Sequence, residues 1–390
     1  MDRSIVYLLV EPSIMTPIWH ANSIEGLKRS AAKQKRTVCQ IHSVEELDDR
    51  ETPLALVLIS TNNDWTSRAI ENCRQRGIRP ILIGCMPSKF GEDVSGTMYS
   101  SKSSVQELLQ YFVSCGRSRV ALLGINENST NDTTKRDSFL ATARQLGLPI
   151  TAKDVYCSNK GATTPLELFY DNISQYDGVL CGNDYIAAHV MAYCADNNIS
   201  VPEQLYVSGL GDALLCRYTN PTLTSATRSY FQTGVQAFNI WKQLNGDPNI
   251  FAVVVVVQCE IKPRGSTAYS PLPGLNPKIT AIPRQTAMPE GSVDQQVSAV
   301  KSLEHCLANC DQMDIRIIQG LLHGTGIEKI AEDQYISVGT ARYRLKKIYT
   351  SAGVSNKTDF LELFRRYIGN EKIFDDYLGD FREDDVHPYN

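Results

Sequence analysis

Arg342, Tyr343, Arg344, Lys346 and Lys347 crowd into one short stretch near the end of this 390-residue chain. Ala341, Leu345, Ile348 and Ala352 are threaded through them at intervals of four, three and four residues. Those intervals define one face of an α-helix. The spacing predicts a helix that buries its apolar side and turns Tyr343, Lys346, Lys347 and Thr350 outward, with Arg342 and Arg344 on the flanks. Ser337 stands where it can cap the free N–H groups of the first turn. No acidic residue lies between Val338 and Ser351. Four cations and an aromatic on one helix suit a polyanion. Arg and Lys pair with phosphates and with guanine edges, and a helix fits the DNA major groove. The plain alternative is a solvated charged face.

The neighbouring residues weigh against that alternative. Ile315, Ile318 and Leu322 share a face of a preceding helix that stops at Gly324. A short helix over 327–334 turns Ile330 and Ala331 inward, and a tight turn at 335–337 leads into the basic helix. Phe360, Leu361 and Phe364 mark one more apolar helix. Four short helices with the third one cationic make a helix-turn-helix module. The run GTGIEKIAEDQYISVGTARYRL from Gly324, then Ile348-Tyr349 and Ala352-Gly353-Val354, resembles the DNA-binding domain of the LuxR/NarL type over residues 311–367. That resemblance implies a dimer on a two-fold DNA site, held partly by the fourth helix. By position it implies Arg342, Tyr343 and Lys346 at bases, and Ser337, Thr340 and Lys347 at phosphates, with Arg344 beside them. Gln334, Ala341 and Ala352 depart from that family's usual leucine, valine and leucine.

The elements before this module alternate. Short apolar runs at 4–10, 38–41, 54–60, 80–83, 119–123, 155–157, 178–181 and 205–209 read as strands. Helical stretches at 22–33, 64–76, 105–115, 138–146, 166–173 and 186–197 separate them. Apolar strands without polar alternation indicate parallel sheets covered on both faces, an α/β fold. Ligands of such sheets sit at the carboxyl ends of the strands. GRSRVALLG from Gly116, GNDYIAA from Gly182, NISVPEQLYVSGLGD from Asn198 and NPTLT from Asn220 resemble the LacI/GalR domain, of the type I periplasmic-binding-protein fold. The resemblance implies two lobes with a small molecule between them. One lobe would hold residues 1–100 and a return segment near 230–246; the other would hold 101–225 and the strand after Phe251. Members of that family begin with their own helix-turn-helix, whereas here the first strand starts at residue 4. The C-terminal module would take its place.

The expected organisation is therefore a two-lobed ligand-binding domain over 1–268, a Pro/Gly-punctuated linker over 269–291 and a connecting helix over 292–310. A helix-turn-helix domain over 311–368 and an acidic tail over 369–390 follow. Val293, Val297, Val300, Leu303 and Leu307 line one face of the connecting helix, with Gln296 interrupting the seam. That face either meets its twin in a homodimer or packs on the DNA module. The tail carries Glu371, Asp375, Asp376, Asp380, Glu383, Asp384 and Asp385. It reads as mobile, with competition against DNA for the basic helix as a second possibility.

Candidates for the ligand come from loops at strand ends. Trp19, His20, Asn62 and Trp65 follow the first and third strands; an aromatic face in a wet cleft stacks on a sugar ring or a flat base, or simply packs on its own lobe. From the family resemblance, Lys135 with Arg136 beside it takes the place of a ligand-binding arginine, three residues before Ser138. Asn183 matches a cleft asparagine, with Asp184 left to cap the following helix. Arg228 and Tyr230 fall where that family contacts ligand. The family's sugar-gripping aspartate would fall at Gly211, with Asp212 one residue later. A sugar or sugar derivative is the first expectation. An acidic ligand gathered by Lys135, Arg136 and Arg228 is the rival, and a ligand-free domain is the third reading.

Composition bounds the rest. A hydrophobic content of 42% is that of a globular protein with a real core, and a net charge of −4 makes any nucleic-acid affinity local to one module. The eleven cysteines form no C-x-x-C pair and are odd in number. They read as reduced thiols in the cytoplasm, not as a disulfide framework. No nucleophile elbow, P-loop or H-E-x-x-H motif is present, so neither catalysis nor a cofactor or resident metal is expected. The apolar run at 251–257 is too short for a membrane span and reads as a buried strand. The chain reads as a ligand-responsive DNA-binding regulator. The competing reading is a small-molecule-binding module whose C-terminal helices dock a protein.

Overall fold

A computed structural model describes residues 5–12, 18–47, 53–60, 62–227, 229–268, 279, 293–369 and 372–378. The chain divides into two compact units, Met1–Ser100 with Arg228–Cys259, and Ser101–Thr227 with Glu260–Val386. Each is organised by one six-stranded sheet.

The first unit is built from β1 (Ile5–Val10), α1 (Ile18–Lys33), β2 (Thr37–Ile41), β3 (Ala55–Ile59), α2 (Asn63–Gln75), β4 (Arg79–Ile83) and β5 (Ser95–Tyr99). The second follows with α3 (Ser101–Ser114), β6 (Val120–Asn126), α4 (Thr130–Gln145), β7 (Val155–Ser158), α5 (Thr163–Asn172), β8 (Gly178–Cys181), α6 (Asp184–Asp196), β9 (Tyr206–Gly211) and β10 (Thr224–Thr227). The chain returns to the first unit for α7 (Tyr230–Gly246) and β11 (Val254–Val257), and to the second for β12 (Glu260–Lys262). The sheet orders are β11-β5-β4-β3-β1-β2 and β12-β10-β9-β8-β6-β7. Every pairing is parallel except β10 with β12.

Side chains alternate between the two faces of each strand. In the first sheet Val6, Leu8, Val57 and Ile59 join a core with Leu27 of α1 and Phe238 of α7. Leu9, Leu56, Leu58 and Leu82 join the opposite core with Ile70 of α2. Both faces are therefore dry, which is why β3 reads as an unbroken apolar run. α1 and α7 approach so closely that a Cβ on Gly234 would strike the Ser23 carbonyl at 1.8 Å.

The strand after Phe251 differs from expectation. β11 pairs with β5 and so belongs to the first sheet, not the second. It is an edge strand rather than a buried one: Val254 and Val256 remain about half exposed. The second lobe instead takes β12.

The C-terminal segment contributes α8 (Val293–Ala308), α9 (Gln312–Leu322), α10 (Ile327–Asp333), α11 (Val338–Ser351), α12 (Lys357–Tyr367) and α13 (Lys372–Leu378). These helices belong to the same compact unit as the second lobe. Val293 and Val297 of α8 enter one core with Val190, Met191 and Cys194 of the lobe. Val300, Leu303 and Leu307 are buried as well. The apolar face of α8 is thus spent inside its own chain, on the lobe and on the module, which removes it as a free surface for a twin helix. Gln296, the break in the apolar seam, bonds His189 of α6 at 2.7 Å. Asp294 accepts from the Ala162 amide and the Thr163 hydroxyl at the start of α5.

Part of the acidic tail is also ordered. Ile373 and Phe374 of α13 are buried, Phe374 stacks on Phe364, and the Tyr218 hydroxyl donates to Asp376 at 3.1 Å. The tail beyond Leu378, and the 269–291 linker apart from buried Ile279, lie outside the described residues.

Candidate functional site

The C-terminal module is built as its apolar periodicity requires. α9 starts at a capping box in which Asp311 and Asp314 exchange side-chain and backbone bonds. Beyond α10 and its C-cap Gln334, Tyr335 with a φ of 54° turns the chain, while the Ile336 amide bonds back to the Ala331 carbonyl. Ser337 then caps α11 by accepting from the Thr340 amide at 3.0 Å. Ala341, Leu345, Ile348 and Ala352 are all buried, and the Cys306 thiol of α8 donates to the Ile348 carbonyl. Gln334 is half-buried.

The outer face of α11 carries Arg342, Tyr343, Lys346 and Lys347, all exposed, with Ser337 and Thr340 exposed at its start. Tyr343 is 72% exposed and Tyr335, just before the helix, 97%. Arg342 meets Glu328 of α10 at 3.4 Å with both side chains about two-thirds exposed. Such a surface pair is weak and easily exchanged. Arg344 does not stand with the others. Its guanidinium reaches Asp311 at 2.8 Å and Asp314 at 2.7 Å, and Asp314 is buried. Arg344 therefore pins α11 to the start of α9, a role that the helical wheel could not distinguish from a flank position. Tyr335 is the residue of this surface that sequence reasoning left out. Its backbone turn, not a side-chain pattern, places it there.

α12 faces inward. Phe360, Phe364 and Tyr367 are buried, and Arg366 bonds Asp196 at the end of α6 at 2.8 Å. An open groove of about 600 Å³ runs between α6 and α12, past Ala192, Ala195, Lys357 and Leu361.

In the first lobe, His20 is 3% exposed and burial pulls its imidazole down to about 4, with the nearby Glu11 carboxylate opposing. His20 is therefore neutral near pH 7. Glu11, which the sequence reading passed over, is buried at the end of β1 and accepts from the Ser60 hydroxyl at 2.9 Å and the Asn62 amide at 3.2 Å. Asn62 is the N-cap of α2, accepting from the Asp64 and Trp65 amides. Trp65 is half-buried against its own lobe's core. Tyr230 opens α7 and meets Tyr99 edge to face at 5.4 Å. The side chains of Trp19 and Arg228 lie outside the described residues.

In the second lobe, several expected ligand groups are already engaged. α4 begins at Thr130, capped by Ser129, so Lys135 lies inside the helix instead of ahead of it. Lys135 is 4% exposed and donates to Asp132 at 2.6 Å and to the Gly182 carbonyl at 3.0 Å. It ties α4 to the end of β8. Arg136 is half-buried and pairs with Asp137 at 2.9 Å. Asn183 is the N-cap of α6, accepting from the Ile186 amide. The cap is Asn183 and not Asp184 as expected: buried Asp184 instead accepts from the Ser225 hydroxyl at 2.5 Å and the Ala213 amide at 2.9 Å. A Cβ on Gly209 would strike Asp184 at 2.1 Å, so the glycine makes room for the carboxylate. Asp212 has a φ of 54° and pairs with Arg264 at 2.6 Å.

Comparisons with known proteins agree with this architecture. Residues 109–267 match the family model of a periplasmic binding protein-like domain. The chain is similar to the probable HTH-type transcriptional repressor ExuR of Bacillus subtilis, at 19% identity over 63% of this chain and 75% of that one. It is also similar to the HTH-type transcriptional repressor PurR of Haemophilus influenzae, at 23% identity over 51% and 67%. Among solved structures, a LacI-family regulatory protein from Chloroflexus aggregans superposes with a TM-score of 0.57 at 16% identity, covering 67% of this chain and 98% of that one. The LacI-family regulator CCPA of Weissella paramesenteroides with bound sucrose superposes at 0.54, again with 16% identity, over 67% and 98%. The front of this chain is accordingly a two-lobed periplasmic-binding-protein-like domain with the fold of LacI-family structures, and the relatives named are regulators, not enzymes. Among the described residues no helix is long and apolar enough to cross a membrane.

Proposed function

We propose that this protein is a ligand-responsive transcription regulator that grips double-stranded DNA with α11. The observation that carries the reading is the exposed cationic face of Arg342, Lys346 and Lys347 with Tyr343, on a helix whose opposite face is fully packed. A helix of that kind, entered from a short helix through a tight turn, is the part of a LuxR/NarL-like helix-turn-helix that enters the major groove. The regulators similar to the front domain support the same reading. Two copies of the chain would offer two such helices to a two-fold site. Binding of a linear duplex should weaken steeply with salt, by about 0.9 log units of affinity per neutralised phosphate per log unit of salt. A titration by fluorescence anisotropy at several salt concentrations measures this. A salt-independent interaction would favour the second reading, a helical module that docks a protein partner.

The effector is a sugar or sugar acid taken up at the carboxyl ends of the strands. In the second lobe Asp212 with Arg264 is a polar pair at a strand end, and the similar sucrose-bound domain points to the same chemistry. A screen of sugars and sugar acids on the full chain should raise its melting temperature by mass action for the true ligand class. No shift with any member of either class would remove this part of the reading.

A further inference from the structure

Glu304 lies at the point where the lobe and the DNA-reading module meet. It sits on α8 yet is 3% exposed, and its two carboxylate oxygens accept from the Leu214 amide at 2.9 Å and the Leu215 amide at 3.4 Å. Those amides open a short 3-10 turn, Leu214–Arg217, directly after β9. The free N–H groups of such a turn attract a carboxylate. The preceding amide, Ala213, is held by Asp184, and Asp212 before it is held by Arg264. Three successive amides at the end of β9 are thus fixed by two carboxylates, one from the lobe and one from α8. Beside Glu304 on α8, Leu303 and Leu307 are buried and Cys306 bonds the α11 backbone at Ile348.

We propose that Glu304 is the positioning residue that couples the strand-end loop 211–217 to the joint between α8 and α11. A displacement of the loop moves the Leu214 and Leu215 amides, the carboxylate follows them, and α8 carries the change to the DNA-facing helix. The use made of this coupling rests on the regulatory reading above; the coupling itself is a property of the free chain. An apolar residue at position 304 would bury equally well but would not track the loop. Packing alone transmits a push, whereas paired hydrogen bonds to a buried carboxyl group resist both push and pull.

Hydrogen exchange read by mass spectrometry on the full chain tests this without DNA or effector. Asp212→Asn weakens the Arg264 pair on the loop side. It should speed exchange in peptides covering 303–311 and 345–352 by about fivefold or more, the lower bound of ordinary coupling between sites. With Glu304→Gln already in place, the same loop substitution should add little, because an amide NH2 then faces one of the two backbone donors and the paired link is lost. Leu214→Pro removes one donor without touching any charge. Ala213, at φ −55° and ψ 153°, already has the conformation favoured before proline. This second variant should uncouple the joint in the same way, and it carries the test alone if Glu304→Gln fails to fold. The proposal is overturned if Asp212→Asn leaves the joint unchanged in the parent. It is equally overturned if Asp212→Asn accelerates exchange as much in Glu304→Gln and Leu214→Pro as in the parent. A chain that binds no DNA would still give either answer, so the two readings fail separately.

Discussion

Glu304→Gln is expected to abolish a fall in stability that burial of this carboxyl should impose on the parent chain between mildly acidic and mildly alkaline pH. Burial holds the Glu304 carboxyl up at about 8 instead of 4.5, opposed by the Leu214 amide, and Asp184 and Asp212 add to the rise. Arg264 is engaged by Asp212. The folded chain therefore holds a proton that the unfolded chain releases. The stabilisation is complete below about pH 4.5 and is lost as pH climbs toward 8, because the unfolded state then binds fewer protons. At about 1.4 kcal/mol for each factor of ten, the window is worth on the order of 4–5 kcal/mol. Denaturant melts at pH 5, 6.5 and 8 measure it. The glutamine variant, neutral throughout, should lack this slope whatever its absolute stability. Equal pH slopes in the two proteins would mean that another group supplies the linkage. The same result bears on the coupling, since a link made through a carboxyl of this kind strengthens or slackens with its protonation.

The double substitution Arg342→Ala with Lys346→Ala should remove specific DNA binding almost entirely. A base contact of this type contributes about 1–3 kcal/mol, so the pair together should cost about 2–6 kcal/mol if the two act independently. Thermal stability should barely move, because both side chains are exposed and Arg342 pairs with the solvent-facing Glu328. Arg344→Ala is the internal contrast. It strips the partner from buried Asp314, and leaving that carboxylate unpaired should cost about 1–3 kcal/mol of stability. At temperatures where the module stays folded, its DNA affinity should remain close to the parent's. A gel-shift or anisotropy titration beside a melting curve separates the three variants. If Arg344→Ala were the variant that lost DNA and kept its stability, the assignment of faces on α11 would be reversed.

Much of this protein is legible in one dimension because its strongest signals are local. The 4-3-4 spacing of Ala341, Leu345, Ile348 and Ala352 sets which side of α11 is buried before any tertiary contact forms. The apolar runs of β1, β3 and β8 announce sheets covered on both faces, and Ser337 declares the start of the helix it caps. Where side chains could satisfy either a local or a distant partner, only the folded chain decided. β5, Ser-Gly-Thr-Met-Tyr, has no strand-like pattern of its own, and it is a strand because β4 and β11 lie on either side of it. Lys135 reads like a ligand cation until the polar residues from Thr130 onward join its helix and bury it against Gly182. Glu304 looks like a solvent-facing residue in a valine- and leucine-lined helix, and it becomes a buried acceptor because amides ninety residues earlier need one. Hydrophobic period and capping act within one or two turns of chain, so composition and order determine them. Hydrogen-bond partners for buried charges are set by which backbone groups the packed sheets leave unsatisfied, and that is a property of the whole fold.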